Sequence, residues 1–160
     1  MSVIEKYAGG EWELPEKIYI GLKVNKIKAR KTSSEQQKEW LRIRTRIQIH
    51  NPKGDPMTQR IFEQFTCKKD SLKGRIIDLG CYTGALYHWL DRPVDYTGID
   101  IWKEAIEVAK EFAPEGNFVH QNLMDVEGHY DVVWCSQLVL KKNTPEIEKI
   151  HSLGDLVILI

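Results

Sequence analysis

The chain has 160 residues, 42% of them hydrophobic and 29% charged, enough for one domain with a buried core. No apolar run reaches the roughly eighteen residues of a membrane span, and Met1-Ser2-Val3-Ile4-Glu5-Lys6 lacks a secretory apolar core. The net charge of zero conceals a split: residues 1–75 hold 17 Lys or Arg against 9 Asp or Glu, and residues 76–160 hold 6 against 14. The basic half either steers toward a polyanion or embraces the acidic half of its own fold. Cys67, Cys81 and Cys135 form no C-x-x-C and have no His at ligand spacing. Neither a metal site nor a disulfide framework is expected, and a reducing cytoplasm is the expected location.

Residues 1–55 read as an N-terminal extension, a small β hairpin plus a helix. Trp12 and Leu14 are candidate anchors on the main domain. Ile18, Ile20, Leu22 and Val24 alternate with Lys17, Tyr19, Gly21 and Lys23, the pattern of a half-buried strand. A basic segment follows, with Lys26, Lys28, Arg30 and Lys31. Ser33 or Ser34, with Gln36 or Gln37 three residues on, suits the start of a helix over 35–41. Beyond it the period is ambiguous. Trp40, Ile43 and Ile47 fit a helical face. Ile43, Thr45, Ile47 and Ile49, opposite Arg42, Arg44, Arg46 and Gln48, fit a strand, and the strand pairing with 17–24 is the reading preferred. On a strand, the three arginines point the same way.

Residues 56–160 read as an α/β core. Asp55 caps a helix with Pro56 at its first position, and Met57, Ile61, Phe62 and Phe65 form its apolar side. Strands are expected over 75–79, 96–99, 118–119, 130–135 and 156–160. Helices are expected over 84–90 and 103–112, with Ala105, Ile106, Ala109 and Phe112 inward. A short helix is expected after Thr144, with Pro145 first. Apolar strands separated by short helices mean a mostly parallel sheet covered on both faces.

The central stretch is Arg75-Ile76-Ile77-Asp78-Leu79-Gly80-Cys81-Tyr82-Thr83-Gly84. A strand, a glycine loop and a helix start together let a ligand touch backbone. Asp100 closes the next strand, twenty-two residues after Asp78, the position from which an acid grips a ribose. Tyr82 stands where a dinucleotide fingerprint needs its middle glycine, which argues against a pyrophosphate there. Asp78, Gly80 and Gly84 match D-x-G-x-x-x-G, the first motif of the class I S-adenosylmethionine-dependent methyltransferases. Asp100 after the second strand, Asn122 after the third and Tyr130-Asp131 opening the fourth extend the resemblance over residues 57–160.

The resemblance implies a Rossmann-like class I methyltransferase sheet of order 3-2-1-4-5, with S-adenosylmethionine as cofactor. By the same resemblance Asp78 faces the amino acid end of the cofactor, and Tyr82 lies against its methionine part. Asp100 takes the ribose hydroxyls, Ile101 lies on the adenine face, and Asn122 and Leu123 meet the adenine edge. Each acid or amide also has a local reading: backbone hydrogen bonds for Asp78, a helix cap for Asp100, a turn for Asn122. The catalytic residues are not identified. After the fourth strand, Cys135-Ser136-Gln137-Leu138 lacks the N-P-P-Y or D-P-P-Y of amino-group methyltransferases. Ser136, Gln137, His88 and His120 are weaker candidates for touching an acceptor, and Lys141 and Lys142 for a substrate rim.

The sheet of the resembled family continues for two strands beyond the fifth, whereas this sequence stops at Ile160. The apolar Leu156 to Ile160 edge is then covered by N-terminal strands, by a partner chain or by self-association, or the chain is truncated. The expected activity is methyl transfer to a small molecule, with RNA as the other substrate through Arg42, Arg44 and Arg46. The runner-up is a cofactor-binding or degenerate module that grips RNA or a protein through its basic front half.

Overall fold

The computed structural model describes residues 33–136, 138 and 142–160. The strand expected over 17–24, the basic run at 26–31, the anchor at Trp12 and Leu14, and the positions Gln137 and Lys141 lie outside the described residues. Among the described residues no helix is long and apolar enough to cross a membrane.

Two helices precede the sheet, α1 (Ser34–His50) and α2 (Pro56–Lys68). The rest alternates strand and helix: β1 (Arg75–Leu79), α3 (Ala85–Trp89), β2 (Asp95–Asp100), α4 (Lys103–Phe112), β3 (Asn117–His120), β4 (Tyr130–Cys135), α5 (Pro145–Ser152) and β5 (Gly154–Leu159). All four strand pairings are parallel, in the order β3-β2-β1-β4-β5. Pairing sets Asp78 beside Gly98 on β2 and Trp134 on β4. Alternation along β1 sends Ile76 into a core with Phe65, Leu86, Ile106 and Trp134. It sends Ile77 and Leu79 into a second core with Ile99, Val133, Ile150 and Leu153 on the other face.

Local chemistry explains the helix starts. Ser33 closes a capping box: its Oγ accepts from Gln36 N at 3.2 Å, and Ser33 N donates to Gln36 Oε1 at 3.1 Å. Asp55 caps α2 by accepting from Thr58 N at 3.0 Å, with Pro56 behind it. On α2, Ile61 and Phe65 are buried, whereas Met57, expected on the apolar side, is 46% exposed.

Residues 43–49 are helical, which corrects the strand preferred from their alternation. The helix is buried on two sides. Leu41, Thr45 and Gln48, at spacings of four and three, form one face. Ile43 and Ile47, about 200° round from Leu41 at about 100° per residue, form another. Two buried stripes on one helix reproduce the alternation of a strand. Leu41 packs with Ala105 and Val108 of α4.

The arginine stripe goes with the strand. Arg42 donates two hydrogen bonds to Glu111, from Nε at 2.7 Å and Nη2 at 2.9 Å, and contacts Glu39. Arg44 pairs with Asp55 and lies over the Trp40 ring. Arg46 lies over the Phe112 ring. Lys38 reaches Glu107 at 2.9 Å. Among the described residues, Lys38 and Arg42 of α1 thus meet acids of α4.

Candidate functional site

The strand ends β1 and β2 and the loop between β1 and α3 form the site. Gly80 and Gly84 both have left-handed backbone, φ 70° and 83°, where a Cβ is strained. Space forbids one as well. At Gly84 it would stand 2.6 Å from the Phe118 ring, and at Gly80 2.9 Å from Leu138 Cδ2. Tyr82 holds a left-handed φ of 55° without being glycine. Its ring is held edge-on against Trp40 and Trp102, and its buried hydroxyl has no hydrogen-bond partner among the described residues.

Asp100 binds this loop directly. Its Oδ2 accepts from Tyr82 N at 2.9 Å and its Oδ1 from Trp102 N at 2.8 Å. Burial raises its pKa, and the backbone N–H groups of Trp102, Tyr82 and Ile101 oppose the rise. Each oxygen keeps a further lone pair. Ile101 follows, 70% exposed. Asn122 Oδ1 accepts from Met124 N at 2.9 Å, so its oxygen makes the turn that opens Leu123–Asp125. Leu123 is half-buried beside it.

Asp78 is set deeper, 2% exposed. Tyr96 Oη donates to its Oδ2 at 2.7 Å, so the local backbone bonding open from the sequence is replaced by a side-chain donor. Its Oδ1 is buried with no partner among the described residues. Burial pushes the carboxyl up to about 7; the Tyr96 hydrogen bond opposes this and the Asp100 charge adds to it. Burial, with the Asp78 and Asp100 charges, holds the Cys81 thiol far above its usual range, so Cys81 is not a nucleophile at neutral pH.

A small cavity opens onto Asp78. Gln48 and Thr58 line it from α1 and α2, Cys81, Ala85 and Trp89 from the loop and α3, and Trp134 and Ser136 from β4 and its exit. Helix α1 also grips the loop, since Thr45 Oγ1 and Thr83 Oγ1 lie 2.7 Å apart, both fully buried. The sequence reading missed Gln48 and Thr58. The signal for Gln48 was a polar residue on the Leu41–Thr45 face, visible once 34–50 is taken as helix.

The fold therefore brings Asp78, Gly80, Tyr82, Gly84, Asp100 and Ile101 together, with Asn122 and Leu123 on the neighbouring loop after β3. His88 lies on α3, half-buried, and burial lowers its pKa. His120 Nε2 donates to the Ile101 carbonyl at 3.1 Å. Among the described residues no group of His, Cys, Asp and Glu suits a metal.

Residues 76–153 match a family model described as a methyltransferase domain. No match was found among curated protein sequences. The fold resembles that of magnesium protoporphyrin IX methyltransferase from Synechocystis PCC 6803 with bound SAH, at 24% identity and a TM-score of 0.52, covering 63% of this chain and 52% of that one. The same protein with bound SAM gives 22% identity and a TM-score of 0.51 over 79% and 74% of the two chains. A Thermoplasma acidophilum protein gives 23%, 0.50, 73% and 65%. The chain thus spans about half the length of the first of these structures. Residues 76–153 are thus similar to a methyltransferase domain, and the fold is the one shared by these structures.

Proposed function

We propose that the chain binds S-adenosylmethionine and transfers its methyl group, with a small molecule as the favoured acceptor. One observation carries this reading: a glycine loop at the end of β1 lies against Asp100 at the end of β2, above a buried Asp78 oxygen with no donor. The residues fit the cofactor's three parts. Asp78 offers a buried acceptor to its amino group. Asp100 has lone pairs left for a ribose diol. Ile101 gives an exposed apolar face for adenine, beside Leu123 and Asn122. Gly80 and Gly84 supply the left-handed turns of the loop, close against Leu138 and Phe118, and the Tyr82 ring packs on Trp40 and Trp102. The core of this unit is 56–160, with α1 of the 1–55 extension as its cover, and the expected location is cytoplasmic.

When bound, the cofactor supplies an electrophilic methyl group on a sulfonium, displaced directly by the acceptor. The chain's part is to align donor and acceptor. Ser136, at the exit of β4, lines the cavity and is the candidate to touch the acceptor.

A second reading is a cofactor-binding or degenerate module that grips a partner. It is favoured by Leu138, whose Cδ2 stands against the face of Gly80 that a ligand would approach. Calorimetry with S-adenosylmethionine and its demethylated product, followed by incubation with labelled cofactor and cell extract, separates the readings. Binding with label on an acceptor is expected; binding without turnover would leave the module. No heat at millimolar ligand would refute both. Asp100→Ala is expected to weaken binding by about 2–3 kcal/mol, the scale for loss of a charged partner.

A further inference from the structure

Gln48 is 3% exposed, and its Oε1 has no hydrogen-bond partner among the described residues. Its orientation is fixed by its neighbours. Thr58 Oγ1 donates its single proton to Asp55 Oδ2 at 2.6 Å. Thr58 can then only accept from the amide, and Gln48 Nε2 donates to it at 3.3 Å. Asp55 is itself held by Arg44. The chain of bonds from Arg44 through Asp55 and Thr58 therefore points Gln48 Oε1 away from its neighbours. The same cavity holds Asp78, whose Oδ2 is taken by Tyr96 and whose Oδ1 is bare. Gln48 and Asp78 thus line one small cavity, otherwise walled largely by Ile61, Leu86, Trp89 and Trp134, and each carries a buried acceptor with no donor among the described residues. An unpaired buried acceptor is costly, so a ligand that supplies donors to both relieves two such costs.

We propose that Gln48 is a cofactor-binding residue: its Oε1 and Asp78 Oδ1 together accept the ammonium group at the amino acid end of the cofactor. This rests on the reading of the site as an S-adenosylmethionine site, and adds a helix outside the matched region 76–153 to it. The chemistry suits the pair. An ammonium brings three donors and no acceptor, and the cavity has room for a group little larger than a water molecule. The carboxylate supplies charge and the amide a neutral dipole. Helix α1 is then one wall of the binding site.

The test uses the full chain at pH 7.5 and three ligands: S-adenosylhomocysteine, its analogue lacking the α-amino group, and 5′-methylthioadenosine, which lacks the whole amino acid end. Wild type is expected to bind the deaminated analogue about tenfold or more weakly than S-adenosylhomocysteine. Gln48→Met keeps the length of the side chain and removes the acceptor. It is expected to weaken S-adenosylhomocysteine by about tenfold, and to leave the deaminated analogue and 5′-methylthioadenosine within about twofold. Equal loss for all three ligands, or no loss for any, overturns the role of Gln48 while the cofactor site stands. Wild type that binds the deaminated analogue as well as S-adenosylhomocysteine overturns it without any variant. Wild type that binds none of the three overturns the underlying cofactor reading as well.

Discussion

Asp78 is a carboxyl whose ionisation the fold shifts up toward neutral pH. Its pKa rises from 3.8 to about 7 because burial strips its water, with the Asp100 charge adding and the Tyr96 hydrogen bond subtracting. The groups facing it are Tyr96 on β2, Cys81 in the loop, Asp100 at the end of β2 and Cys135 on β4, and burial raises the pKa of each. Between pH 4 and 7 the folded chain holds a proton here that the unfolded chain has lost. The stability of the empty protein is therefore greatest below pH 4 from this group, and falls as pH rises through about 7, by on the order of a few kcal/mol. Urea melts at pH 5 and 7.5 check this: the fall is expected in wild type and absent in Asp78→Asn. A ligand with an ammonium group responds oppositely, binding more tightly as pH rises to about 7 and Asp78 ionises. The acids and glycines of this site were legible because a strand, a glycine loop and a second strand end have a fixed grammar. Their detailed partners were not. Asn122 turned out to hold its own turn, and Tyr82 turned toward Trp40, because such contacts depend on side-chain direction and on a helix that the sequence placed elsewhere.

At the scale of elements, the parallel core was legible almost strand by strand, since each strand is a short apolar run bounded by turn residues. Helix α1 was not. Periodicity assumes one buried face, and α1 has two, so Leu41, Ile43, Thr45 and Ile47 are all buried on a helix and alternate as on a strand. Its docking on α4 is made by small and branched residues: Leu41, Ala105 and Val108 are each fully buried. Leu41→Ala is expected to cost about 2–5 kcal/mol, the range for a large-to-small change in a packed core. The midpoint of urea unfolding measures it. A cost below about 0.5 kcal/mol would mean that α1 packs loosely and is no part of the core.

At the scale of the described molecule, the charges of α1 are met inside the fold. Lys38 and Arg42 on α1 face Glu107 and Glu111 on α4, one acidic and one basic helix side by side. Exposed pairs of this kind contribute about 0.2–1 kcal/mol each. Changing Arg42, Arg44 and Arg46 together to Ser is therefore expected to lower the melting temperature and to leave RNA affinity unchanged at two salt concentrations. Affinity that falls steeply with salt, and is lost in the triple variant, would instead make these arginines a phosphate-binding face. Among the described residues β5 pairs with β4 alone, and Leu156 and Leu159 are 40% and 45% exposed.

Helix α1 is also a splint. Its seventeen residues rise about 25 Å from the capping box at Ser33 to the end that carries Gln48. It is tied along that length: Lys38 and Arg42 to α4, Thr45 to the glycine loop, Gln48 to Thr58 of α2. One rigid element thus braces three others, and a substitution that loosens its packing also loosens the loop it is bonded to.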